Sequence, residues 1–318
     1  MVRLSSLGDL VILSSALEYL HRQNVKIYLA VYEQFSELYE KDPRIEKVIA
    51  IRRNFWGKLK GLIEIRRYSF DLVLDLHRKF YPFLISLLAI AKHRSHIVKN
   101  SLDRILAVRF KKKIEEKPLY ISFVEPAFPF FASREVPFPT LVSMEQPEYY
   151  LPEKYAVIVP GASKRTKMWP HEYYVSLGKR IYSRFHISLI VIGKENLITE
   201  NPEGFINLSR QTNLRQLLYI LSNAEFVVSN DTGPAHMTAA VGTPLFVIFG
   251  PTVPEFGFRP KGKGYVKVFE KTLPCRPCSL HGTERCPAKH FRCMLEIKPE
   301  EVFNEIERFY TRKVDSNF

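Results

Sequence analysis

Short apolar segments alternate with helical segments along most of this chain. The segments 71–76 (DLVLDL) and 155–159 (YAVIV) are nearly continuous in apolar residues and lack the polar alternation of a strand with one face in water. Strands of this kind are covered on both faces, and strands that alternate with helices are typical of parallel sheets. The sequence therefore predicts an α/β fold made of doubly wound parallel sheets.

The alternation runs in two series. The first is predicted to contain strands at 1–4, 26–31, 45–51 and 71–76 and helices at 10–21, 33–39 and 82–92. The second is predicted to contain strands at 155–159, 188–192, 225–229 and 244–249 and helices at 171–183, 214–222 and 234–241. Two such series predict two Rossmann-like domains that face each other across a cleft.

A stretch without periodicity separates the two series. Residues 124–152 contain six prolines, as expected of a domain junction. We therefore predict domains at 1–150 and 151–298, followed by a helix within 299–318 that could cross back to the first domain. Ligands of doubly wound sheets bind beyond the carboxyl ends of the strands, so the loops at those ends are expected to carry the chemistry.

Three of these loops contain residues that suit a phosphate ligand or its reaction. Asp9 lies at the start of a predicted helix, where local chemistry favours a helix cap. The loop 160–170 places three cations in four positions, either as a phosphate cradle or as solvated charge. The segment 229–236 (SNDTGPAH) places Pro234 in a first helical turn, whose free N–H groups could bind a pyrophosphate or only be well capped.

Positive charge is concentrated in the first predicted domain. The chain has a formal net charge of +14, and residues 51–113 contain 16 Lys or Arg against four Asp or Glu. A basic face attracts phosphate-bearing partners such as nucleic acid, anionic lipid or a phosphorylated glycan, although a merely solvated surface has the same composition. Charge alone does not choose among these partners.

No segment has the length of a membrane span. The longest apolar candidate, 83–91, is about half of the roughly 20 residues that a spanning helix needs. The N-terminus also lacks the three regions of a secretory signal peptide. We expect a cytoplasmic location.

All four cysteines lie within 19 residues of one another. Cys275, Cys278, Cys286 and Cys293 begin with a C-x-x-C pair, and His281 and His290 lie among them. In a cytoplasmic chain this pattern indicates a structural metal site, usually zinc, while disulfides or free thiols remain alternatives.

Four segments together resemble glycosyltransferase family 9, the bacterial ADP-heptose:lipopolysaccharide heptosyltransferases. They are the opening VRLSSLGDLVILSSALEYL, SKRTKMWP, VVSNDTGPAHMTAAVGTPLFVIFGPT and the late Cys-Pro-rich stretch. The resemblance covers nearly the whole chain in the family's order. It implies a GT-B fold, an inverting transfer and no divalent metal in catalysis. HRK at 77–79 is more basic than the family pattern, which implies a different acceptor recognition.

The resemblance also implies residue roles. Asp9 is the general base, and Lys167 neutralises charge on the departing diphosphate. The residues implied to bind the donor are Ser163, Thr166, Glu195, Asp231, Thr232, Gly233 and His236. The basic face, a membrane-surface site for the acceptor, is represented by Arg52, Arg53, Arg78, Lys111, Lys112 and Lys113.

The sequence is therefore interpreted as an inverting transferase. It is expected to move heptose or a related sugar from ADP-heptose or another nucleotide-sugar to a lipopolysaccharide core acceptor at the inner membrane surface. Two alternatives come from other classes: a GT-B nucleotide-sugar epimerase and a basic, zinc-containing nucleic-acid-binding protein. The epimerase lacks a clear second carboxylate beside Asp9, and no loop resembles a base-reading module, so no nucleic acid partner is expected.

Overall fold

The computed structural model describes residues 1–98, 101–200 and 202–315, which form two parallel-sheet domains. The elements of the first domain are α1 Leu7–His21, β1 Tyr28–Tyr32, β2 Lys47–Ile51, α2 Phe55–Ile65, β3 Ser69–Asp75, α3 Phe80–Leu88, β4 Ile90–His96, α4 Ser101–Phe110 and α5 Leu119–Val124. Those that follow are β5 Tyr155–Val159, α6 His171–Phe185, β6 Ser188–Val191, β7 Phe205–Asn207, α7 Leu214–Ser222, β8 Val227–Asn230, α8 Gly233–Val241, β9 Leu245–Ile248, β10 Val266–Phe269, α9 Arg292–Leu295 and α10 Pro299–Asp315. In the described part of the chain, no helix is long and apolar enough to cross a bilayer.

Residues 1–4 hold the first sheet together. β1 pairs with β2 and β3 pairs with β4, all in parallel, and Val2 bridges Ala30 on one side and Asp75 on the other. The Val2 N–H donates to the Leu74 carbonyl at 2.9 Å. The first predicted strand is thus the centre of a sheet with the order β2, β1, residues 1–4, β3 and β4.

The helix predicted at 82–92 is wrong in its second half. α3 ends at Leu88, and Ile90–His96 forms β4, which pairs with β3 over its whole length. Only Ile90 and Ala91 of β4 belong to the apolar run, and residues 92–96 are polar, so no apolar pattern marks this strand and pairing with β3 decides its structure. The helices α2 and α4 had no counterpart among the predicted elements.

The second sheet has six parallel strands in the order β10-β9-β8-β5-β6-β7. The strands β5, β8 and β9 are buried at every position, which agrees with their continuous apolar sequences. The C-terminal helix α10 packs against α6 and contributes Val302 and Ile306 to the core of this domain. A crossing of this helix to the first domain is not seen among the described residues.

The two domains share one hydrophobic core. α1 of the first domain packs against α8 of the second, and residues of both belong to a single buried cluster. A Cβ placed on Gly233 would lie 2.7 Å from Leu7 Cδ2, which is too close. Glycine at position 233 therefore allows the start of α8 to approach α1 closely. This contact places the N-termini of α1 and α8 side by side.

Candidate active site

Asp9 lies at the first turn of α1 and forms a capping box with Ser6. Its Oδ2 accepts from the Ser6 N–H at 3.1 Å and from the Ser6 hydroxyl at 2.8 Å. The same oxygen pairs with Arg3 Nη2 at 2.6 Å. The helix-cap interpretation of Asp9 is therefore correct as far as Oδ2 is concerned, and among the described residues Oδ1 has no hydrogen-bond donor.

Arg3 controls the ionisation of Asp9. Burial opposes the charged carboxylate, but the Arg3 guanidinium and the Ser6 hydrogen bonds outweigh it and hold the pKa of Asp9 below its usual range. Arg3 is itself buried, donates to the Leu76 carbonyl at 2.6 Å and lies over the Phe123 ring. Asp9 is thus a fixed, ionised carboxylate at neutral pH.

Lys167 and Asp231 form a buried ion pair in the second domain. Lys167 Nζ lies 2.6 Å from Asp231 Oδ2, and the side chains are 13% and 6% exposed. The Thr252 hydroxyl donates to the same Asp231 oxygen at 3.0 Å. Three loops at the carboxyl edge of the second sheet therefore converge on Asp231.

The start of α8 leaves backbone donors free. Thr232 is the N-cap residue, and its side chain makes no capping hydrogen bond. Pro234 follows at the first turn, as the sequence predicted. The N–H groups here and the dipole of α8 suit an anion beside the Lys167–Asp231 pair.

His236 links the starts of the two helices. It is buried on α8, and a Cβ placed on Gly8 of α1 would lie 3.1 Å from its Cδ2. Burial lowers the pKa of His236 despite the opposing charges of Asp231 and Asp9. The imidazole is therefore neutral at pH 7 and can donate a hydrogen bond from one nitrogen and accept one at the other.

Arg104, Phe258 and His281 belong to the same site, although the sequence analysis did not place them in it. The Arg104 guanidinium lies 5.0 Å from the centre of the Phe258 ring, and the His281 ring lies 6.1 Å from it. Burial lowers the pKa of His281, and the charges of Asp9, Lys167, Arg104 and Asp231 all act on it. Arg104 comes from the first domain and the other two from the second, so all three lie at the interdomain cleft.

The Cys-rich segment, residues 275–293, is hydrogen-bonded to the loop that carries Lys167. The Thr166 N–H donates to the Thr283 carbonyl at 3.1 Å, and the Thr283 N–H donates to Thr166 Oγ1 at 2.7 Å. A Cβ on Gly282, which has φ +84°, would lie 2.8 Å from Lys167 Cγ. Thr166, expected to bind phosphate, is buried and holds this segment in place, which brings His281 next to Lys167.

Two other donor residues of the sequence interpretation lie farther out. Ser163 and Glu195 are exposed on the loops after β5 and β6, and neither makes a side-chain hydrogen bond or ion pair with a described residue. Their roles in donor binding stay predictions.

The cations expected to bind the acceptor do not form one cluster. Arg52 pairs with Glu33 at 2.9 Å, and the Arg53 guanidinium lies 4.8 Å from the centre of the Tyr32 ring. Lys111 Nζ donates to the Cys275 and Pro277 carbonyls and thereby ties the first domain to the Cys-rich segment. The remaining cations are exposed: Arg78, Lys112 and Lys113.

The four cysteines are unpaired. All are thiols, and Cys275 Sγ lies 3.6 Å from His290 Nε2. Burial, with the neighbouring thiols, raises the pKa of Cys278, and burial raises the pKa of Cys293 to about 11. Among the described residues, no three His, Cys, Asp or Glu side chains are arranged to hold a metal ion.

A model of one protein family matches most of this chain. The model for glycosyltransferase family 9 (heptosyltransferase) matches residues 62–289. The chain belongs to glycosyltransferase family 9. It is a glycosyltransferase, which sets aside the epimerase and nucleic-acid-binding alternatives.

Known proteins resemble the chain over almost its full length. The lipooligosaccharide heptosyltransferase 2 of Campylobacter jejuni serotype O:6 is 25% identical over 323 residues, covering 96% of each chain. The structure of E. coli ADP-heptose lps heptosyltransferase II has a TM-score of 0.75 at 19% identity, covering 98% of each chain. A family 9 glycosyltransferase of Veillonella parvula has a TM-score of 0.78 at 15% identity, covering 98% of this chain and 96% of that one. The predicted GT-B fold is confirmed.

Proposed function

We propose that this glycosyltransferase moves a heptose from ADP-heptose to a hydroxyl group of a lipopolysaccharide core acceptor, with inversion at the anomeric carbon. One observation carries the proposal: Asp9 of the first domain lies in the same cleft as Lys167 and the start of α8 of the second domain. The charges of Asp9, Lys167 and Asp231 all influence the pKa values of His236 and His281. The similarity to a lipooligosaccharide heptosyltransferase and to an ADP-heptose lps heptosyltransferase supports the choice of sugar, donor and acceptor class.

The donor diphosphate would bind at the start of α8. The Thr232 and Gly233 N–H groups would hydrogen-bond to its oxygens, and Lys167 would neutralise charge as the diphosphate departs. Asp231 repels phosphate, so it would hold Lys167 in place and accept hydrogen bonds from donor-sugar hydroxyls. Neutral His236 would add a hydrogen bond without adding charge.

Asp9 would activate the acceptor. Its Oδ2 is occupied by Ser6 and Arg3, so Oδ1 would take the proton of the acceptor hydroxyl as that oxygen attacks the anomeric carbon. The new C–O bond forms opposite the breaking bond to the diphosphate, and the electron pair of that bond leaves with the diphosphate. Arg104 and His281 both lie beside the Phe258 ring, where they could contact a phosphate of the donor or acceptor.

A donor screen tests the proposal. ADP-heptose is expected to raise the Tm in a concentration-dependent manner by mass action, and UDP-, GDP- and dTDP-sugars are expected to raise it less. With a core acceptor, NMR of the product is expected to show the anomeric configuration opposite to that of the donor. Transfer from a different nucleotide-sugar, or retention of configuration, would contradict the proposal.

We also propose that Cys275, Cys278, Cys286 and Cys293 hold a structural zinc ion. The four thiols lie within 19 residues of one another in the sequence, and in the described part of the chain no three His, Cys, Asp or Glu side chains are arranged to hold a metal ion. The zinc ion is proposed as structural, and no step of the transfer is assigned to it. Elemental analysis of the purified protein is expected to find about one zinc ion per chain, because four thiolates satisfy one Zn²⁺. Four titratable thiols in metal-free, active protein would rule it out.

A further inference from the structure

Most of the exposed large apolar side chains of the described residues lie in the first domain. Phe55, Trp56 and Phe80 are 72%, 68% and 77% exposed. Scattered apolar residues are normal on a protein surface, whereas a contiguous group marks a contact with something else. The positions of these residues on their helices decide between the two cases.

The helix α2 is apolar on two opposite sides. Gly57, Gly61 and Ile65 are buried at a spacing of four, and Gly61 packs against Ile51 of the sheet. Phe55, Leu59 and Ile63 follow the same spacing two positions away, which places them about 200° around the helix, and they are exposed. A helix that is apolar on its outer side as well as its inner one has a second partner.

The helix α3 repeats this arrangement beside α2. It has no charged residue, its buried positions include Pro82 and Ile85, and its exposed positions include Phe80, Phe83 and Leu87. The Tyr81 hydroxyl donates to the Lys58 carbonyl of α2 at 2.7 Å, so the helices are neighbours. Their buried sides share one small core, and their outer stripes therefore point away from the same face of the sheet.

We define the α2–α3 face by the outer stripes of the two helices: Phe55, Trp56, Leu59, Ile63, Phe80, Phe83 and Leu87. It lies on the opposite side of the first sheet from α1, which packs against the second domain. The face is therefore outside the active-site cleft and open to a partner that approaches the first domain from its far side.

Cations are concentrated in and beside α2, the first helix of the α2–α3 face. Residues 52–67 contain six Lys or Arg and one acid, Glu64, which is already paired with Lys47 and Arg67. A second copy of the chain on this face would bring like charges together, whereas anionic lipid headgroups complement them. Aromatic rings flanked by cations are the side chains that settle at the boundary between headgroups and acyl chains.

We propose that the α2–α3 face docks on an anionic membrane, with its aromatic rings inserted at the headgroup boundary and its cations on the lipid phosphates. Docking of this face leaves the cleft between the domains free for an acceptor that is anchored in the same membrane. The inference needs neither a donor nor an acceptor, so it can fail while the proposed transfer stands, and the reverse.

The chain contains its own reporter for this contact. Of its two tryptophans, Trp56 is on the α2–α3 face and Trp169 is fully buried in the second domain. Vesicles of phosphatidylethanolamine and phosphatidylglycerol are expected to shift the Trp56 emission to shorter wavelength, and lipids brominated along the acyl chain are expected to quench it. Trp56→Phe is expected to abolish both signals while vesicle binding persists.

Matched double variants separate insertion of the α2–α3 face from non-specific adsorption to vesicles. Phe80→Ser/Phe83→Ser keeps Trp56 and is expected to weaken vesicle binding at least about tenfold, as expected for an interfacial helix that loses buried apolar area. Phe138→Ser/Tyr150→Ser, also at exposed aromatic positions, is expected to bind like the unmodified chain. Part of the binding should survive at about 0.5 M NaCl, where charge attraction is screened.

Two outcomes would overturn the proposal. One is an unchanged Trp56 emission on anionic vesicles. The other is a concentration-dependent shift of that emission without lipid, accompanied by self-association in sedimentation, which would assign the face to a second copy of the chain.

Discussion

Replacement of Asp9 with asparagine is expected to lower turnover by about 100-fold or more while the donor remains bound, the usual contribution of a positioned general base. Asparagine has nearly the same shape and can still accept the Ser6 hydrogen bonds through its carbonyl oxygen. It cannot take the acceptor proton. Single-turnover transfer measured beside donor affinity separates the two effects.

The capping role of Asp9 calls for its own control. Ser6→Ala removes the hydroxyl that donates to Asp9 but leaves the carboxylate and its Arg3 partner. This variant is expected to lose of the order of 1 kcal/mol of stability, typical of a lost cap, and to keep most of its turnover. If Asp9→Asn instead behaved like Ser6→Ala, with lower Tm and near-normal turnover, Asp9 would be a helix cap only.

The pH dependence follows from the same ion pair. The base acts when ionised, and the pKa of Asp9 is held below its ordinary value of 3.8. The part of kcat/KM that depends on Asp9 is therefore constant through neutral pH and is lost only as the pH falls through that lowered pKa. Arg3→Gln removes the guanidinium and is expected to move this acid limb upward, because only the Ser6 hydrogen bonds then oppose the effect of burial on the pKa.

Replacement of Lys167 with methionine is expected to lower turnover by about 100- to 1,000-fold, the usual cost of removing a donor that stabilises transition-state charge. Lys167 pairs with Asp231, and methionine leaves that carboxylate buried without a cation. The single variant should therefore also lose stability, of the order of 3–5 kcal/mol for a broken buried pair. Steady-state kinetics and urea unfolding measure the two losses.

A double variant separates these losses. Lys167→Met/Asp231→Asn removes both charges, and the Thr252 hydroxyl can still donate to the amide oxygen at position 231. Stability is expected to recover in large part, and turnover is not. If turnover recovered with stability, Lys167 would serve only to neutralise Asp231, and the departing diphosphate would depend on the start of α8 alone.

Much of the fold follows from local pattern. The strands β5, β8 and β9 are continuous apolar runs, and such runs between helices are stable only when covered on both faces. The strand β4 shows the limit of that pattern, because residues 92–96 are polar and exposed or half-buried, and only pairing with β3 makes this segment a strand. The helix α2 shows a related limit, since apolar stripes on two opposite sides cancel the single period that identifies a surface helix.

Some features of the site also follow from local sequence, and others do not. The sequence by itself determined the groups whose chemistry depends on near neighbours: Asp9 as a helix-capping carboxylate, the helix start at Gly233 and the cationic loop at Lys167. Turns and helix ends depend on residues only three or four positions apart, so a short segment of sequence is enough to predict them.

Only the tertiary structure decided which of these groups meet. Lys167 reaches Asp231 across 64 residues, and Thr166 binds Thr283 across 117, which carries His281 into the site. Arg104 reaches Phe258 from the other domain. Such contacts form between loops without periodicity and depend on how α1 packs against α8, so the cleft, its ion pair and the α2–α3 face exist only once both sheets are assembled.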